Sequence, residues 1–345
     1  MQRREFIQTA SVMSLACSAG VWAQSAAWPD KPIKFVLSQP PGSGPDNVAR
    51  LLGERLAKSL GQSIVIDNKP GGQNVIGAQA AARSAADGYT FYFATTAALI
   101  TNALLFKQLA YDPQKDFVPV AFIARSPFAI LVDANSPIQT LDELIAKSKA
   151  SGGQFSIGNE GPRTFSGMIA RLFNARAKTA ANLVPYANVG VGSQNLMGGH
   201  VDAMVADLAS TAQLAKQGKL RVVATTSAKR VPGWENVPAL SEKLGNFDMV
   251  GWFAIVAPTG TPSNVINKLN QEVKDLFFAD DVLENVLLVK AQVCSGGHSL
   301  CTACPWILYY LHSQRNYCFL LLAFIFSVAV VGLSTHHLLQ ANKFL

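Results

Sequence analysis

From residue 33 to residue 94, short β-branched and apolar runs alternate with segments whose apolar residues recur at helical spacing, and few folds accept that alternation. Ile33-Lys34-Phe35-Val36-Leu37 forms one run and Ser63-Ile64-Val65-Ile66-Asp67 the next. Between them Asp46 offers an N-cap to a stripe made by Val48, Leu51, Leu52, Arg55 and Leu56. Asn68-Lys69-Pro70-Gly71-Gly72 makes a turn, residues 75–83 an Ala-rich helix, and Asp87-Gly88 leads into a strand over 89–94. Strand, helix, strand, helix, strand at this pitch predicts a parallel α/β unit. The pattern resumes with strands expected at 129–132, 155–158, 182–186, 201–206 and 220–225. Helices are expected at 141–149, 167–176 and 193–197, and a last strand at 250–257. Two α/β lobes joined by crossings near residues 124–128 and 226–252 are expected, and 345 residues suffice for two cores. Lobe 1 then takes 24–126 plus 251–285, and lobe 2 takes 127–250.

The two ends of the chain differ from this body. Arg3 and Arg4 precede an apolar stretch over 6–22, and Val21-Trp22-Ala23 presents a cleavage site, so residues 1–23 read as a signal peptide for export to the periplasm. Arg3-Arg4-Glu5-Phe6-Ile7 also resembles a twin-arginine signal, and the choice between the two export routes stays open. Cys17 lies in that leader, while Cys294, Cys301, Cys304 and Cys318 lie in the tail, so the body over 24–290 holds no cysteine. Such a body enters an oxidising compartment without mispairing. The net charge of +7 is spread over single Lys and Arg residues with no basic run, which argues against nucleic acid as a partner.

Several ordered motifs carry a more specific likeness. They begin with Pro40-Pro41-Gly42-Ser43-Gly44-Pro45-Asp46, Asp67-Asn68-Lys69-Pro70-Gly71-Gly72 and Asp87-Gly88-Tyr89-Thr90. Tyr111-Asp112-Pro113-Gln114-Lys115-Asp116-Phe117, Val184-Pro185-Tyr186 and Gly198-Gly199-His200-Val201-Asp202 come next. Gly218-Lys219-Leu220-Arg221 and Ala257-Pro258-Thr259-Gly260-Thr261-Pro262 complete the series. Over residues 28–282 the chain thereby resembles the extracytoplasmic solute receptors of tripartite tricarboxylate transporters, the Bug proteins. That resemblance implies a two-lobed periplasmic binding protein of the Venus-flytrap type, without cofactor, metal or catalysis. It also implies a small organic acid or related solute as ligand, and the membrane permease components of a tripartite transporter as partners.

A carboxylate can be held without a buried cation when backbone N–H groups at helix starts and glycine turns point at it. Gly42, Ser43, Gly44 and Asp46 supply one such start, and Gly161, Thr164 and Ser166 a second in the other lobe. Arg163 can pair with a second carboxylate or remain a solvated surface charge. Thr95, Thr96 and Asp207 stand at the ends of strands, where open α/β sheets receive ligands. In the family an acidic or polar residue at the place of Asp207 lines the cleft. A helix N-cap is the competing role, and both can hold. Phe128, Tyr186 and Phe253 are candidate walls. The second loop departs from the family pattern at Glu160, Arg163 and Gly167, which bears on which solute is bound. The body has one histidine, His200, and no Gly-x-Ser-x-Gly, His-Glu-x-x-His or phosphate-binding loop, so the parts of a triad, zinc or nucleotide site are missing there.

The likeness ends near Asp281-Val282. Residues 286–345 form an atypical tail with an apolar run from Cys318 to Leu333, somewhat under the ~18–20 residues a spanning helix needs, and a membrane segment over 318–335 is one reading of it. Cys301-Thr302-Ala303-Cys304 lacks the second pair of a zinc site. An altered C-terminus from a frameshift, leaving a non-functional receptor, and a membrane-tethered ligand sensor stand as alternatives to a released receptor.

Overall fold

The computed structural model describes residues 28–279; the expected leader, residues 280–285 and the tail 286–345 lie outside the described residues. The order is β1 (Ile33–Leu37), α1 (Gly44–Leu60), β2 (Ile64–Asn68), α2 (Val75–Ala82), β3 (Thr90–Thr95), a π-helical turn (Ala97–Thr101) and α3 (Asn102–Leu105). Then come β4 (Phe117–Asp133), α4 (Leu141–Ala150), β5 (Ser156–Asn159), α5 (Phe165–Ala177), β6 (Asn182–Pro185), α6 (Val189–Met197) and β7 (Ala203–Asp207). Last are α7 (Leu208–Lys216), β8 (Leu220–Thr225), α8 (Leu240–Leu244), β9 (Val250–Pro258) and α9 (Ser263–Ala279).

The strands follow the order β2-β1-β3-β9-β4-β7-β5-β6, with β8 also paired to β4. Parallel pairs β1–β2, β1–β3, β5–β6 and β5–β7 are the units the sequence pattern announces. Antiparallel pairs join them. β4 runs beside β9 from Phe117 to Pro127, then beside β7 and β8 from Phe128 onward. One strand therefore belongs to both lobes, and β9 brings the chain back across the same junction.

Strand alternation builds a core on each face of each half. Ile33, Phe35 and Leu37 of β1 and Phe91 and Phe93 of β3 point to one side, where Leu52 and Leu56 of α1 and Leu269 and Val273 of α9 cover them. Val36, Tyr92 and Ala94 point to the other side, against Ala78 and Ala81 of α2. In the second half Ile130 and Val132 face Leu144 of α4 and Phe173 of α5, while Ala129 and Leu131 face Leu196 of α6 and Leu208 of α7. Each large side chain so buried contributes roughly 1.5–3 kcal/mol.

Local signals set the helix ends. Thr140 and Glu143 form a reciprocal capping box at α4. Gly61 closes α1 in the left-handed conformation, φ 68°. The carboxyl ends of β1, β3, β5 and β7 all open toward the junction, and the loops leaving them form the site.

Candidate functional site

The first loop owes its shape to Asp46. The buried carboxylate accepts the Gly42 N–H at 2.9 Å, Arg50 Nε at 2.9 Å and Asn68 Nδ2 at 2.9 Å. Burial pushes its pKa up, but the bonds from Arg50, Gly42 and Asn68 outweigh that and leave it below the ordinary value. Gly42 has φ +79°, a conformation costly to any residue with a Cβ. Ser43 donates its hydroxyl to the Pro40 carbonyl at 2.8 Å and does not cap α1. The start of α1 thus carries no side-chain cap and opens at Gly44 and Pro45 onto a cavity.

The second loop is built differently. Asn159 Oδ1 accepts the Gly161 N–H at 2.8 Å, and Thr164 donates to the Gly161 carbonyl at 2.8 Å while its oxygen caps Gly167 N at 3.2 Å. Ser166 Oγ accepts the Glu160 N–H at 3.0 Å. A Cβ on Gly167 would run into the Gly161 carbonyl group, which accounts for glycine there.

Between the loops lies a cavity of ≈ 100 Å³. Of the residues expected to bind, Ser43, Gly44, Thr95, Thr96, Thr164 and Asp207 line it. Gly42, Asp46, Gly161 and Ser166 are absent from the lining; they hold its walls from behind. Phe128 and Phe253 are in the wall, whereas Tyr186 packs beside Gly158 and Gly192. The Arg163 guanidinium sits over the Phe106 ring at 5.8 Å and is not part of the lining.

Asp207 fills both roles weighed for it. It caps α7 by accepting Ala209 N at 2.8 Å and Ser210 N at 3.3 Å, and it faces the cavity while the Ser126 hydroxyl donates to it. Burial pushes its pKa up to about 6 against those bonds. Glu160, partly exposed at the cavity, is pushed up to about 7, first by burial and then by the Asp207 charge. Among the described residues, no Lys, Arg or His lines the cavity.

Gln39, Asn74, Glu160 and Trp252 line the cavity without having been expected there. Gln39 Nε2 donates to Asn74 Oδ1 at 3.0 Å and Thr95 Oγ1 at 3.3 Å, and its Oε1 is buried with no partner among the described residues. Trp252 donates its backbone N–H to Thr96 Oγ1 at 2.7 Å, tying the end of β3 to β9. Glu160 had a signal, as a departure from the family loop. Gln39 sits at the head of the first loop, outside the glycine-rich stretch taken as the site, and Trp252 had no signal because β9 brings it there through tertiary packing.

Two α/β lobes sharing antiparallel strands, with helix starts from both meeting at one small cavity, define a periplasmic binding protein. Residues 48–287 match the model of the tripartite tricarboxylate transporter family receptor, and the chain belongs to that family. A UPF0065 protein of Bordetella bronchiseptica is 35% identical over 254 residues, 74% of this chain and 75% of that protein. Among solved structures, an R. palustris protein with adipate matches with TM-score 0.72 and 30% identity, covering 79% of this chain and 91% of the other. MatC from Rhodopseudomonas palustris with bound malate matches with TM-score 0.68 and 28% identity, covering 75% and 88%.

Proposed function

We propose that this chain is an exported receptor that closes its two lobes on a small carboxylate-bearing solute and presents it to the membrane permease of a tripartite transporter. The observation that carries this is the shared cavity: Ser43 and Gly44 come from one half of the sheet, Thr164 and Phe165 from the other, and both pairs line it. The starts of α1, the 97–101 turn, α5 and α6 reach the same space, with Gly44, Ala97, Phe165 and Val189 in its lining. Their N–H groups and dipoles favour an anion. The relatives solved with adipate and malate carry dicarboxylates, in keeping with that chemistry.

The lobes are taken as 24–126 plus 251–285 and 127–250, hinged where β4 and β9 pass between them. Closing brings donors to opposite sides of one solute and excludes water, which strengthens every hydrogen bond inside. The cavity of ≈ 100 Å³ is partly open to solvent, and the lobes part to admit the solute and close to hold it. Residues 1–23 serve export to the periplasm. Bound solute does the chemistry of recognition only; no residue of the site is assigned to catalysis.

A thermal-shift screen of purified protein against mono-, di- and tricarboxylates tests this. At 100 times the Kd a true ligand adds about 2.7 kcal/mol and raises Tm by several degrees. A flat response across all the acids overturns the proposal.

A further inference from the structure

Between β2 and α2 the backbone takes four successive positive angles: Gly71 φ +117°, Gly72 φ +54°, Gln73 φ +56° and Asn74 φ +77°. A residue with a Cβ adopts such angles at a cost, and two in a row persist only where their surroundings hold them. Here Asn102 Nδ2 donates to the Gln73 carbonyl at 2.8 Å, and Gln39 Nε2 donates to Asn74 Oδ1 at 3.0 Å. Asn74 stands at the N-cap position of α2, where asparagine commonly accepts from the first turn, yet its side chain makes no cap and lines the cavity instead. With Oδ1 taken by Gln39, Nδ2 is the open end of the amide, and it has no acceptor among the described residues. Thr95 Oγ1 accepts the same Gln39 Nε2 at 3.3 Å, and its hydroxyl hydrogen likewise has no acceptor among the described residues.

We propose that Asn74 is a specificity-determining residue of this cavity, whose Nδ2 donates to a second oxygen-bearing group of the solute, apart from the carboxylate held at the helix starts. The role rests on the receptor reading above and adds to it the side chain that reads the rest of the solute. Among the described residues no Lys, Arg or His lines the cavity, so a second oxygen has to be met by uncharged donors. Asn74 and Thr95 supply two of them, and Gln39 sets their polarity: its one Nε2 occupies an acceptor on each and leaves the donor of each open. A cavity that had only to hold one carboxylate would do as well with glycine at residue 74, which takes φ +77° freely.

The test is calorimetric titration of the ligand-stripped protein at pH 7.5 with succinate, glutarate and adipate, each against its half-amide. The wild type should bind at least one diacid, and more tightly than the matching half-amide, because a hydrogen bond to a charged acceptor is the stronger. Asn74→Gly removes the donor and suits the backbone angle, so it should weaken that diacid about ten-fold or more without lowering Tm. Asn74→Asp keeps an oxygen for Gln39 but puts an acceptor where the donor was. It should move the ratio of diacid to half-amide affinity about ten-fold or more toward the half-amide. Four results overturn the proposal and leave the receptor reading standing: a wild type that prefers the half-amides, Asn74→Gly affinity within about three-fold of wild type, an affinity loss matched by a fall in Tm, or an unchanged ratio in Asn74→Asp. A wild type that binds none of these probes but does bind another acid of the carboxylate screen overturns it too. A screen that is flat across all the acids takes the receptor reading down with it.

Discussion

The Asp207 carboxylate of the second lobe packs against the α-carbon of Gly44 in the first, so closely that a methyl group at residue 44 would lie 2.9 Å from its Cγ. The end of β7 and the start of α1 thus touch at the cavity through the Asp207 side chain alone. Gly44→Ala should displace Asp207, weaken solute binding at least ten-fold and cost about 1–3 kcal/mol through overpacking. Adding Asp207→Ser, which is shorter and still caps α7, should recover the stability and not the binding. Chemical denaturation and calorimetry on the single and double variants check both outcomes.

Asp46 should matter more for stability than any residue of the lining. Asp46→Ala strips a buried acceptor from Gly42, Arg50 and Asn68 together, at an expected cost of roughly 2–3 kcal/mol at pH 7. Its pKa is depressed in the fold, so its contribution is fully present above the ordinary value of 3.8 and is lost as pH falls below it. Urea unfolding at pH 7 and pH 3 should show the gap between wild type and Asp46→Ala closing at the lower pH.

Glu160 carries the opposite sign. Its pKa rises from 4.5 to about 7 on folding, so the native state keeps a proton that the unfolded chain releases across that window. Stability from this group therefore falls as pH rises from 4.5 to about 7 and stays low above it. Full expression of the shift would amount to about 3 kcal/mol, reduced to ~1 kcal/mol because water in the cleft screens a partly exposed carboxyl. Glu160→Gln should accordingly raise Tm by ~2–4 °C at pH 8 and leave it unchanged at pH 4. A Tm change of equal size at both pH values would refute the assignment.

Thr96 is expected to act as a tie between β3 and β9 through its acceptance of Trp252 N. Thr96→Val, which keeps the shape and removes the acceptor, should cost about 1–2 kcal/mol, whereas Thr96→Ser should be nearly silent. Thermal unfolding of the two variants side by side separates the hydroxyl from the packing.

The parallel units were legible because their strands are short, mainly apolar runs bounded by turns, as at 33–37 and 64–68. The first half of β4 was not. Pro119, Arg125, Ser126 and Pro127 break any alternation there, and pairing with β9 absorbs the breaks through register shifts at Pro119/Ala121 and Phe122/Ala124. Asp46, expected as an N-cap, lies instead in the first turn of α1, whose N-cap position is Ser43, and the helix expected from Gly167 begins two residues earlier at Phe165, capped by Thr164. The site followed the same division. Loops after strands could be read as its walls, but not which residues face inward: Asp46 and Ser166 turn to hold the loops, Gln39 of the first loop turns inward, and Trp252 arrives from β9.

The most direct measurement is a crystal structure of the protein with the acid that gives the largest thermal shift. It should show the carboxylate between the first turns of α1 and α5, its oxygens about 2.7–3.2 Å from main-chain nitrogens of both lobes. A saturating ligand found outside the space between Gly44 and Thr164, or held by one lobe alone, would contradict the account.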